Sequence, residues 1–255
     1  MLNAFGDLKG FDLVSPDGET VGRVRDLYFD GEDLVVRYLV ADIGSWLAAR
    51  QALLGTAAAG LPDLQRREWP VKLSKAEIEE APRPDEAAPP VSEQAAAAAG
   101  AAEIDWPPLM VGGAGAGYTP LLAERRIREL LGRRPDEPAE GPPRQDPRLR
   151  SMAEIEGYEV RATDGPIGRV GDFLVNPLDW SVRYLAVDTG SWLSTHRVVL
   201  ATGWIAAFDW GERTLAVDVP RHRVETAPEV ENISGLQRAE EESLFRHYGK
   251  PFDWP

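Results

Sequence analysis

Residues able to do chemistry are few in this sequence, and they are scattered. The three histidines, His196, His222 and His247, show no metal-ligand spacing, and there is no cysteine. Disulfides, thiolate nucleophiles, iron–sulfur clusters and cysteine-ligated zinc are excluded together. A glycine cluster from Gly112 to Gly117 precedes the helix start Thr119-Pro120 and superficially resembles a phosphate cradle. A dinucleotide site needs a strand before the glycines and a βαβ unit around them. Here Trp106-Pro107-Pro108 precedes, proline-rich chain follows, and no Gly-Lys-Ser/Thr run completes a P-loop. These glycines read as linker. No catalytic, cofactor-binding or metal-binding residue is assigned, no cofactor is expected, and the expectation is a protein that is not an enzyme.

What does recur is a set of charged, glycine and tryptophan positions. Asp26 with Arg37 and Asp172 with Arg183 share a separation of 11 residues. That spacing lets the partners face each other across an antiparallel pair, as a structural ion pair. Acid–base catalysis would need a second acid or a nucleophile beside them, and none is visible. Asp42 and Asp188 recur as well, followed by Gly44 and Gly190, where a positive φ is expected at the turn between strands. Trp46 and Trp192 come next and are the candidate interaction residues. Tryptophan is enriched among binding hot spots, although the same ring could instead cover one end of its own barrel.

All of these positions sit in a duplicated unit. Residues 21–54 align with 167–200 at a constant offset of 146, and 15 of the 34 positions are identical. Upstream the offset is 147, pairing Gly10-Phe11 with Gly157-Tyr158; downstream Val71, Leu73, Ile78 and Pro82 fall on Val217, Val219, Val224 and Pro228. The unit is about 75 residues long, too long for a solenoid repeat or propeller blade. Residues 83–150 hold 11 of the 21 prolines, a run of alanines (Ala95 to Ala99) and one expected helix near 120–132. The expected organisation is a first barrel over 1–82, a linker over 83–150, a second barrel over 151–230 and a C-terminal helical tail over 231–255.

Within a unit the pattern is β. Asp17-Gly18 and Asp164-Gly165 are hairpin signals between apolar runs. Valine-, leucine- and tyrosine-rich segments follow and end at Gly44 and Gly190. About six short strands in about 75 residues predict a small closed or nearly closed antiparallel barrel. Pro62 weakens the second half of the first unit. Ser74 with Glu77 forms a capping box, and Leu236, Leu244, Phe245 and Tyr248 outline an amphipathic helix stopped at Gly249.

The order Gly-Tyr/Phe, Asp-Gly, Ile/Val-Gly-Arg-Val-x-Asp, Val-Arg-Tyr-Leu and Asp-x-Gly-Ser-Trp-Leu, with a closing helix, resembles the PRC-barrel domain. That small β-barrel is shared by the cytoplasmic part of the photosynthetic reaction-centre H subunit and the C-terminal part of a bacterial ribosome maturation factor. The resemblance implies a mainly β protein of two tandem barrels, acting as a non-catalytic adaptor that docks on other proteins. It also raises two specific alternatives: a peripheral reaction-centre-related component that influences electron transfer in photosynthesis, and a ribosome-assembly adaptor.

Charge narrows the partners. The net charge is −14, divided as −5, −2 and −7 over residues 1–82, 83–150 and 151–255. A nucleic-acid binder needs a net basic face, so no nucleic acid is expected and a protein partner is. No stretch approaches the roughly 20 apolar residues of a membrane span, and the amino terminus lacks a signal-peptide pattern. The expectation is a cytoplasmic protein with at most peripheral contact with a membrane complex. Two similar units could also pack about a pseudo-twofold axis, or a homodimer could form.

Overall fold

Strand pairing in the computed structural model repeats with the sequence. It describes residues 2–44, 50–84, 149–190, 195–210, 212–228, 230 and 233–252. The first repeat begins with a short arm, β1 (Asn3–Ala4) and α1 (Phe5–Leu8). It continues through β2 (Asp12–Val14), β3 (Thr20–Asp30), β4 (Val36–Asp42), β5 (Gln51–Gly55), β6 (Glu68–Pro70) and α2 (Lys75–Glu80). The second opens with an equivalent arm, β7 (Leu149–Ser151) and α3 (Met152–Ile155). After it come β8 (Glu159–Ala162), β9 (Gly165–Val175), β10 (Val182–Gly190), β11 (Thr195–Ala201), β12 (Ile205–Asp209), β13 (Thr214–Val217), α4 (Arg221–Glu225) and α5 (Arg238–Tyr248).

The molecule is mainly β, in two sheets of mixed strands. One runs β5-β4-β3-β2-β6 and the other β11-β10-β9-β8-β13-β12. Pairing is antiparallel except for β2 with β6 and β8 with β13, which are parallel. No closed barrel is found among the described residues, and the two parallel pairs depart from the antiparallel arrangement expected of a closed or nearly closed barrel. After β5 and after β11 the chain makes a single turn of 3-10 helix, Thr56–Ala58 and Thr202–Trp204, which in the second repeat leads from the edge strand β11 straight into the opposite edge strand β12. Apolar side chains of both repeats belong to one buried cluster. Phe29 and Phe173, one from each repeat, meet inside it at 6.0 Å.

The repeats differ in their second halves. β12 and β13 form a hairpin in the second repeat. The equivalent stretch of the first, containing Pro62, keeps only the isolated bridges Ala59 to Val71 and Asp63 to Glu68, because proline cannot donate to a ladder. The capping box at Ser74 and Glu77 starts α2.

Leu244, Phe245 and Tyr248 of α5 are buried. Trp204 packs edge-on against Phe245 at 5.0 Å and lies 4.7 Å from Tyr248. The Tyr184 hydroxyl donates to Glu241 Oε1 at 2.7 Å, tying α5 to β10. Losing a hydrogen bond to a partly solvated carboxylate costs about 1 kcal/mol. Tyr184→Phe should therefore lower the thermal midpoint by roughly 2–4 °C in a chain of this size. An unchanged melting curve by circular dichroism would show that the bond contributes nothing.

Candidate functional site

Asp26 and Asp172 stand at matching irregularities in the two long strands. The register passes from Val24 opposite Ala41 to Asp26 opposite Val40, so Arg25 is the extra residue of a bulge. Gly171 is the extra residue at the equivalent place, between Val170 opposite Val187 and Asp172 opposite Ala186. A bulge re-aims the neighbouring side chain, and here both aspartates point across to the other repeat. Asp26 accepts from Ser151 Oγ, from the Ala153 amide at 3.1 Å and from its own neighbour Leu27 at 2.7 Å. Asp172 accepts from the Gly6 amide at 3.0 Å and from Phe173 at 2.7 Å. Each carboxylate thus satisfies a backbone donor at the start of the other repeat's arm helix, donors that have no partner inside the helix.

The expected ion pairs of these aspartates do not form. Val40 faces Asp26, while Arg37 pairs with Asp33 and lies 3.8 Å from Asp30. Arg183 reaches Asp179 at 3.0 Å and Ser181 Oγ at 2.9 Å. The register of each hairpin sets the aspartate opposite a residue three positions past the arginine, Val40 for Asp26 and Ala186 for Asp172, which leaves each aspartate to the seam. Asp188 is paired with Arg197 at 2.8 Å, and Asp42 accepts from Gln51 Nε2 at 3.2 Å. Gly190 is extended, opposite Thr195 at the end of β10, so the positive φ expected there is corrected: the strand continues where a turn was expected. Gly44 lies in a bend just past β4. Trp46 and Trp192, and the expected linker helix, lie outside the described residues. The repeated glycines with a packing reason are Gly22 and Gly168, where a Cβ would approach the carbonyl oxygens of Asp42 and Asp188 to 2.9 and 2.4 Å.

The seam between the repeats is reciprocal throughout. The β1 arm of the first repeat pairs with β9 of the second, Asn3 with Val175 and Ala4 with Leu174. The β7 arm pairs with β3 of the first, from Tyr28 with Ser151 to Asp30 with Leu149. The Val36 amide donates to the Trp180 carbonyl and the Val182 amide to the Leu34 carbonyl, both at 2.8–2.9 Å, around a bridge between the equivalent residues Val35 and Ser181. Lys9 meets its own equivalent, Glu156, at 2.7 Å. Two contacts between equivalent positions define a pseudo-twofold axis. Sequence reading did not find the arms because four-residue helices carry no periodicity; extending the 147-residue offset would have aligned Phe5 with Met152 and Leu8 with Ile155.

Burial holds the carboxyls of both Asp26 and Asp172 above the ordinary 3.8, against the pull of their hydrogen bonds. A raised acid binds more protons folded than unfolded, so its contribution is complete below pH 3.8 and is lost as pH climbs through the raised value. The stability of the native chain relative to an Asp26→Asn/Asp172→Asn double variant should accordingly be greatest below pH 3.8 and fall as pH rises above it. Denaturant midpoints measured below and above that pH test this, and a difference that does not change with pH contradicts it.

Two surface depressions flank the seam. One, of about 280 Å³, is lined by Lys9, Arg23, Arg25, Asp42 and Ala153; the other, of about 370 Å³, by Glu156, Tyr158, Arg169, Glu212 and Arg213. The two buried aspartates line neither. Among the described residues no three His, Cys, Asp or Glu side chains are grouped to hold a metal.

Residues 2–60, from the first arm to the end of the 3-10 turn region, match the PRC-barrel domain family. The matched span lies within the first repeat. Within that span the motif Val-Gly-Arg-Val-x-Asp places the close-packed glycine and the seam aspartate in one strand. No curated protein matches the chain. No helix among the described residues is long and apolar enough to cross a membrane.

Proposed function

We propose that the chain is a non-catalytic protein-interaction or assembly module, in which two PRC-type barrels are fused in the manner of a symmetric dimer. The observation that carries this reading is the PRC-barrel match, a domain type that suggests interaction or assembly. The reciprocal seam supports it by making the two repeats one body able to present two equivalent surfaces. In this reading the module works in the cytoplasm without a cofactor, and Trp46 and Trp192 anchor its protein partner.

The test is affinity capture of the full chain from its native lysate, with partners identified by mass spectrometry. The native chain should retain a discrete partner. Trp46→Ala/Trp192→Ala should weaken it by about 2 kcal/mol or more, roughly thirtyfold in affinity, while leaving the melting curve unchanged. Absence of any protein enriched over a control chain would count against the module. Recovery of reaction-centre polypeptides or of ribosomal proteins would select one of the two specific roles.

A further inference from the structure

Each arm is built into the repeat to which it does not belong. β1 extends β9, the amide of Gly6 is held by Asp172, and Ala4 donates to Ser234 Oγ at 2.9 Å. In return β7 extends β3, and Asp26 holds the Ser151 hydroxyl and the Ala153 amide. Phe5, Met152 and Ile155 of the arms are fully buried. Each repeat is incomplete without the other, and between them the chain runs through residues 85–148, 64 residues that could extend to about 210 Å.

We infer that the seam is exchangeable, and that the partner it fits is a second copy of this chain. In the exchanged dimer the first repeat of each molecule sits on the second repeat of the other. Every seam contact is reproduced, so the assembly closes with twofold symmetry and leaves no open arm site. Opening the seam uncovers fully buried side chains, so exchange occurs through unfolding and refolding and not between folded molecules. The tether favours pairing within one chain when the protein is dilute, so the dimer grows with concentration. This inference rests on the seam alone, and a capture experiment that returned no partner would leave it standing.

Lys9 and Glu156 supply the test. In a Lys9→Glu chain both positions are acidic, and in a Glu156→Lys chain both are basic, so closure within either molecule sets like charges together. Exchange between the two variants restores an opposite pair at both seams. The two full-length chains, carrying different affinity tags, are unfolded in denaturant and refolded together and apart over a range of concentrations. Native chains with the same two tags are refolded in parallel. Dimers carrying both tags should form from native chains in a fraction that rises with concentration. In the variant mixture such dimers should exceed those formed by either variant alone by roughly severalfold. Native chains that return only monomer at every concentration would overturn the inference. Mixed-tag dimers that show no preference for opposite charge at positions 9 and 156 would also overturn it, by placing the contact elsewhere.

Discussion

Replacing Trp69 with alanine should cost about 3–5 kcal/mol, the range for deleting a large ring from a packed core. Trp69 is completely buried on β6 and its indole N–H donates to the Gly60 carbonyl at 2.9 Å. Its ring lies parallel to that of Trp180, 5.8 Å away at an interplanar angle of 3°. Trp180 belongs to the β9–β10 hairpin of the other repeat, so the variant opens a cavity across the seam and leaves a carbonyl unpaired. Trp69→Leu is the informative control, because the second repeat carries Leu215 at the equivalent position, also fully buried. It should lose about 1–3 kcal/mol, since a leucine refills part of the volume without the hydrogen bond. Denaturant unfolding checks both values, and a loss below 1 kcal/mol for the alanine variant would remove Trp69 from the seam's energetics.

Phe5→Ala should have an effect of similar size, about 3–5 kcal/mol. The side chain is wholly buried on α1, with Lys9 Nζ 4.5 Å from the ring centroid. The more telling expectation concerns where the loss is felt. The arm extends β9, so amides of Phe173 to Val175 in the second repeat should lose hydrogen-exchange protection along with those of the first. With one core shared by the repeats, unfolding should remain a single transition shifted as a whole. Loss of protection confined to residues 2–44 would mean that the repeats fold as separate units.

Much of this arrangement was legible in the sequence. The Asp17-Gly18 turn, the capping box at Ser74 and the apolar helix positions Leu244, Phe245 and Tyr248 are local signals that local chemistry carries into the structure, whereas Leu236, expected in the same helix, falls before its N-cap Gln237. Asp26 and Asp172 were singled out by repetition, but the partners assigned to them were wrong. A bulge at Arg25 and Gly171 leaves no trace in spacing, and the true donors at residues 6 and 153 are over a hundred positions away along the chain. Strand number gave no sign of the parallel pairs β2–β6 and β8–β13 or of a core shared with the neighbouring repeat, because both depend on contacts far apart along the chain. Trp46 and Trp192 follow from sequence alone, and their capture test stands independently of the fold.

The ion pair between Lys9 and Glu156 has a meaning for the history of the chain. Two residues that meet on a true twofold axis are identical, so in a homodimer this position would face lysine with lysine or glutamate with glutamate. Opposite charge there is open only to halves free to mutate apart, which is what fusion into one chain permits. The contact therefore acts as a polarity mark. It favours the union of a first half with a second half over the pairing of like halves.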